Sequence, residues 1–215
     1  RGDAPVERHR LAEGALHVDE REVVAGHHQG DAQQLETREP AGGDLATRIA
    51  QARMERDERA IEVEEGRACI YELDLATSGH RIFAAGLRNP VGLAWEPVTG
   101  RLWTVVNERD GLGDETPPDY LTAVMDGGFY GWPYCYWGRT VDDRVPQDPA
   151  QVARALTPDY ALGGHTASLG LCWMPAGTLP GFDVDGMVIG QHGSWNRSLL
   201  SGYRVVFVPF ANGRP

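Results

Sequence analysis

The stretch "GLAWEP" at residues 92–97 returns as "GLCWMP" at residues 170–175, both reading Gly-Leu-x-Trp-x-Pro. Each copy is a short apolar run closed by a proline, then a turn and a second apolar run. A run this short cannot bury itself and needs neighbours of its own kind, so the recurrence points to stacked supersecondary units. The interval between the copies holds either one unit with a long insertion or nearly two compact ones. Outward from the first copy, "ACIYELD" (68–74) and "RIFAAG" (81–86) flank the turn "LATSGH", and "VGLAW" (91–95) and "RLWTVVN" (101–107) flank "EPVTG". Beyond the second copy come "MVIGQ" (187–191), after the turn "DVDG", and "YRVVFVPF" (203–210). Strands of this length joined by Gly, Pro and Asp turns, with no long amphipathic helix, indicate an all-β sandwich, barrel or propeller. The internal repeat favours the propeller, whose inner strands run along a central axis and whose loops at one end form a binding surface.

The chain divides near residue 60. All 18 aromatic residues and all four asparagines follow it. Residues 1–60 are rich in Arg, Glu, Asp, Ala, Gly, Gln and His, and bury too little apolar surface to offset the entropy of ordering. The expectation is a poorly structured leader, or one that is not native coding sequence, with a short helix over Leu45–Glu58 at most. The chain opens on Arg1 rather than Met, which leaves room for sequence upstream. All 20 basic residues are arginine, and the net charge is −11, which argues against a nucleic-acid partner. No apolar run is long enough for a membrane span. Cys69, Cys135 and Cys172 lack metal-ligand spacing.

Chemistry is concentrated in four loops. Arg88 and Asn89 stand just before an inner strand. The segment "NERDGLGDETPPDYL" (107–121) offers hard oxygens from Asn107, Glu108, Asp110, Asp114 and Glu115. These suit Ca²⁺, although a solvated acidic turn has the same composition. "GGHTASLGL" (163–171) and "GQHGSWNRS" (190–198) each place a His and a Ser near a strand end. A Ser-His-acid hydrolase would need a nucleophile elbow, and Gly-x-Ser-x-Gly is absent. In "GGFYGWPYCYWG" (127–138), Gly127, Gly128 and Gly131 permit a tight bend. Trp132, Tyr134 and Trp137 are read as covering the core between blades rather than stacking on a sugar.

These loops together carry a resemblance. "GLRNPVGLAWEPVTGRLWTVVNERDGLGDETPPDYLTAVMDGGFYGWPYCYWG", "PDYALGGHTASLGL" and "GQHGSWNRSLLSGYRVVFVPFANGRP" resemble the PQQ-dependent soluble sugar dehydrogenase family, on its sorbosone dehydrogenase branch. The upstream "EVEEGRACIYELD" fits as well, so the likeness covers residues 61–215 and not 1–60. It implies a six-bladed β-propeller, bound pyrroloquinoline quinone (PQQ) and Ca²⁺. It also implies oxidation of a small sugar in the periplasm or outside the cell, with electrons passed to an external acceptor. In that family a histidine base takes the hydroxyl proton as hydride passes to the quinone, Ca²⁺ polarises the quinone carbonyl, and an arginine stabilises developing charge. The family's Arg-Asn pair falls on Arg88 and Asn89. Its cofactor and calcium loop falls on Asn107–Asp114, with Asn107 toward the cofactor and Glu108, Asp110 and Asp114 toward the metal. Its cofactor-flanking loops fall on His165–Thr166 and on Ser194, Asn196 and Arg197, where related glucose enzymes carry a lysine. An arginine is not an equivalent point charge.

Two departures set further expectations. The family's base histidine lies upstream of "EEGRA", where nothing around His27 or His28 matches, and the family continues past "ANGRP" into a last blade. The chain is therefore read as a fragment of a six-bladed propeller, poorly stable and without dehydrogenase activity alone. A Ca²⁺-dependent lactonase on a similar scaffold and a non-catalytic sugar- or protein-binding propeller stand as rival readings.

Overall fold

The computed structural model describes residues 21–25, as backbone, and residues 66–215. The other residues of 1–60, the helix expected over Leu45–Glu58 and His27 and His28 lie outside the described residues.

Three sheets are arranged side by side. The first contains β1 (Arg21–Ala25), β2 (Cys69–Asp74), β3 (His80–Ala85) and β7 (Gly128–Phe129), in that order. β1 brings five residues of the expected leader into antiparallel register with β2, from Arg21 opposite Asp74 to Ala25 opposite Ile70. The second sheet runs β10 (Tyr160–Gly164), β6 (Pro118–Ala123), β5 (Arg101–Val106), β4 (Pro90–Glu96). The third runs β11 (Ser168–Met174), β12 (Gly186–Gln191), β13 (Arg204–Pro209). β4 and β11, which carry the two copies of the repeat, lie against each other, and β1 approaches β4 from the other side. A Cβ built on Gly92 would meet Gly170 Cα at 3.1 Å, so the repeat's glycines let the two inner strands touch backbone to backbone.

The period of two along β5 explains the stacking. Leu102 and Val106 face the first sheet and pack with Ile70, Ala84 and Leu87, beside Tyr120 of their own sheet. Trp103 and Val105 face the third, with Leu121, Met187, Ile189 and Val208. A strand whose alternate residues are both apolar must be covered on both faces, and here a sheet lies on each side. The buried side chains contribute about 1.5–3 kcal/mol each. Turn chemistry is local. Asp74 Oδ1 accepts from Ala76 N at 2.9 Å, and the wholly buried Glu96 accepts from Val98 N and Thr99 N, which closes "EPVTG".

The two copies are the inner strands of consecutive sheets, so the interval is a single blade with an insertion. That insertion follows β6 and carries β7, β8 (Cys135–Tyr136), β9 (Thr140–Val141) and α1 (Pro149–Arg154), capped by Asp148. β7 crosses back to pair parallel with β3, fastening the second sheet's insertion onto the outer edge of the first. The bend of "GGFYGWPYCYWG" is made by Gly127 and Gly131, both at positive φ; a Cβ on Gly131 would lie 2.6 Å from Cys135 O. Trp137 packs edge-on against Tyr120, and Tyr134 packs with Phe129 and Cys135.

Candidate functional site

Four loops meet at one end of the sheets: β3–β4, β5–β6, β10–β11 and β12–β13. Their meeting point is Asp110. Arg88 Nη2 lies 3.5 Å from Asp110 Oδ2, and His165 Nδ1 lies 3.4 Å from Asp110 Oδ1. Asn196 Nδ2 donates to Asp110 Oδ1 and lies 3.3 Å from His165 Nδ1. His165 Nε2 is 2.9 Å from Gly113 O. A carbonyl only accepts, so Nε2 carries a proton, while Nδ1 faces both the Asp110 carboxylate and the Asn196 amide. Arg88 Nη1 donates to Glu108 O at 2.6 Å and to Asn107 O at 3.3 Å, while Arg88 Nε and Asn107 Oδ1 are buried without a hydrogen-bond partner. Asn89 joins through its backbone, its carbonyl accepting from Asn107 N at 3.0 Å.

The β12–β13 loop is pinned at both ends. Ser194 and Ser201 exchange hydrogen bonds, Ser194 N donating to Ser201 O and Ser201 N to Ser194 Oγ, each at 2.8 Å. Tyr203 Oη donates to Ser194 O. Arg197 pairs with Glu115 and donates to Gly164 O at 3.0 Å, and Asp114 Oδ2 accepts from Ser198 N at 3.0 Å. Hydrogen bonds from Ser198, side chain and then backbone, hold the Asp114 carboxyl below its ordinary range. Ser194 thus shapes the loop, and Asn196 and Arg197 reach out of it, with Trp195 between them 81% exposed.

Three charged residues organise this end of the molecule without having been singled out from the sequence. Asp119, almost wholly buried, accepts from Glu108 N at 2.8 Å, Ala167 N at 2.9 Å and Thr166 Oγ1 at 3.2 Å. Burial pushes its carboxyl up, against the pull of those hydrogen bonds. Arg109 is buried beneath the site. It donates to Asp142 Oδ2 at 2.7 Å, Cys135 O at 2.9 Å, Pro133 O at 3.1 Å and Glu108 Oε2 at 3.2 Å. Its guanidinium lies 4.6 Å from the centroid of Trp132, whose ring also meets Arg88 at 5.7 Å. Asp142 in turn holds Arg144.

Glu108 is therefore buried beside Arg109, while Asp114 is turned to Ser198. Among the described residues no group of three or more His, Cys, Asp or Glu side chains gathers to hold a metal ion. The nearby carbonyls are also engaged: Asn107 O and Glu108 O by Arg88, Asp110 O by Arg144 Nη1 at 2.9 Å, Gly113 O by His165. These donors do not fit a calcium ion held by Glu108, Asp110 and Asp114. An anionic planar group finds donors here: Arg88 and the Asn196 amide meet at Asp110, Arg88 Nε has a donor to give, and Arg197 follows Asn196 on the same loop, paired with Glu115. Thr166 stands behind them, bonded to Asp119 and, at 3.3 Å, to Ser168 Oγ.

Sheets set radially about touching inner strands, with polar loops gathered at one end, define a β-propeller, here a part of one. Solved structures share this fold. A carbohydrate-active enzyme of family AA12 from Trichoderma reesei superposes with a TM-score of 0.61 at 24% identity, over 74% of this chain and 49% of that one. The holo form of the PQQ domain of pyranose dehydrogenase from Coprinopsis cinerea superposes with a TM-score of 0.52 at 24% identity, over 71% and 46%. A protein of Borreliella burgdorferi with no stated function is 30% identical over 139 residues, 64% of this chain and 37% of that protein. The model of the Glucose / Sorbosone dehydrogenase family matches residues 72–188, more than half of the chain. The chain belongs to that family. It spans about half the length of the solved structures it matches.

Proposed function

We propose that this chain is part of a PQQ-dependent sugar dehydrogenase, an oxidoreductase acting on the CH–OH or aldehyde group of a small aldose of the glucose or sorbosone type. The observation that carries the reading is the convergence of Arg88, His165 and Asn196 on one pole of a propeller of this family, with Arg88 Nε unpartnered. PQQ is a tricarboxylate bearing an ortho-dione, and when bound it supplies the carbon that accepts hydride from the sugar. Arg88 and Arg197 would hold its carboxylates by charge-assisted bonds, and Asn196 would orient it. His165 Nδ1, on a buried ring beside the Asp110 carboxylate, is a place to hold a proton. Electrons would leave to an external acceptor. The family's location in the periplasm or outside the cell is part of the same proposal, and no described helix is long and apolar enough to cross a membrane.

The test is a titration of the protein with PQQ, in calcium buffer and in chelator, followed by quinone absorbance and by sugar-dependent dye reduction. The expected result is saturable uptake, weakened at least tenfold by Arg88→Gln, with no turnover by the chain alone. Calcium-dependent lactone hydrolysis without quinone uptake would overturn the reading in favour of a lactonase. An intact fold that takes up no quinone would overturn it in favour of a non-catalytic propeller.

A further inference from the structure

The four loops of the site come from different strands, and something must fix their spacing. The hydrogen bonds run in one continuous path. Arg88 grips Asn107 O and Glu108 O on the β5–β6 loop. Glu108 N then donates to Asp119 Oδ1, while Ala167 N and Thr166 Oγ1 of the β10–β11 loop donate to Asp119 Oδ2. From there Thr166 O accepts Gly193 N at 3.0 Å and Ala167 O accepts His192 N at 2.8 Å, at the root of the loop that carries Asn196. One carboxylate, using both oxygens, thus connects the loop of Asp110 to the loop of His165, and through it to the loop of Asn196. The segment it holds needs holding. His165 and Ala167 both sit at positive φ, 54° and 49°, a conformation that non-glycine residues leave unless over-determined by their surroundings.

We propose that Asp119 is the positioning residue of this site: it sets the distance between Arg88, His165 and Asn196 without touching substrate or cofactor. The proposal rests on the functional reading above for what the spacing serves, but not for the spacing itself. Asparagine in place of Asp119 keeps the shape yet turns an NH₂ toward either Glu108 N or Ala167 N, so one of those two backbone donors loses its acceptor. Glutamate keeps both acceptors on a longer arm.

A built-in control exists. Asp159, in the neighbouring "TPDY", makes the same kind of clasp, its Oδ2 accepting from Thr122 Oγ1 and Ala123 N at 2.9 Å each, away from the site. The experiment compares wild type, Asp119→Asn, Asp119→Glu and Asp159→Asn by amide hydrogen exchange and by PQQ titration. Asp119→Asn is expected to speed exchange at Ala167, His192 and Gly193 about tenfold or more and to weaken PQQ by a similar factor. Exchange within β5 and β12 should stay unchanged, and Asp119→Glu should recover part of both effects. Asp159→Asn should move neither readout, although it lowers overall stability. Uniform acceleration in Asp119→Asn, matched by Asp159→Asn, would overturn positioning in favour of a general structural role. So would unchanged PQQ affinity where wild type binds. Should wild type take up no PQQ, the functional reading fails on its own, and loop exchange alone decides whether Asp119 holds the spacing. If Asp119→Asn does not fold, Asp119→Glu carries the same comparison.

Discussion

Replacing Asp142 by asparagine should remove one defined share of the acid sensitivity of stability between pH 4 and pH 2. Asp142 is 3% exposed and lies between Arg109 and Arg144. Burial alone would raise its carboxyl; hydrogen bonds from Arg144 and then Arg109 outweigh it and hold the group at about 2, below the ordinary 3.8. The folded value lies below the unfolded one. The group therefore contributes stability that is fully present above pH 4 and is lost as pH falls through 2. The difference corresponds to about 2 kcal/mol at neutral pH. Asp142→Asn also leaves Arg109 with Glu108 as the one carboxylate bonded to it, a pH-independent loss that adds to the first. The assay is urea unfolding by tryptophan fluorescence for both proteins at half-unit steps from pH 2 to pH 7. The gap between the two should be widest at pH 5–7 and narrow by about 2 kcal/mol at pH 2, a midpoint shift on the order of 1 M. A gap that stays constant across the whole range would refute the argument, since it would show that the carboxylate gains nothing from its charge.

Gly164→Ala should damage the site more than the fold. A Cβ there would lie 2.4 Å from Asp114 O and 3.0 Å from Glu115 Cα, so the two loops must part. The expected cost is about 1–3 kcal/mol by thermal unfolding, with quinone affinity falling out of proportion. Asn196→Ala removes the amide shared by Asp110 and His165. Stability should fall by only about 1 kcal/mol, while the His165 ring nitrogens shift in ¹⁵N spectra as Nδ1 loses its donor.

How much of this was legible beforehand depended on whether a residue's partner was near in sequence. The hairpins were readable because Asp74 and Glu96 close their turns within three residues, and because Leu102, Trp103, Val105 and Val106 declare two apolar faces. β10 was harder. Its "YALGG" is diluted by two glycines, and its partner β6 lies some forty residues earlier, Tyr160 pairing with Leu121. Arg109 stands among acidic residues in a stretch that reads as a solvated loop. Its burial is decided by Pro133, Cys135 and Asp142, which no local pattern connects to it. Glu108 offered the right atoms for a hard cation, but Arg109 claims one oxygen of its carboxylate. Asp119 did leave a trace. "PPDY" and "TPDY" place Asp119 and Asp159 alike, and the two make parallel clasps. Arg88, Asp110, His165 and Asn196, which the family likeness had drawn from three separate stretches, lie together.

The bare contact between Gly92 and Gly170 has a consequence for the whole architecture. It lies between the inner strands of two neighbouring sheets, so a shift there changes how the sheets tilt against each other. A methyl group on Gly92 would lie 3.1 Å from Gly170 Cα, so the neighbouring strand must give by a few tenths of an ångström, and Gly92 at φ 89° would resist it from the backbone as well. A wedge widened at the narrow end opens far more at the rim. The smallest side chain at this position would therefore displace the distant outer strands further than a bulky one placed among them.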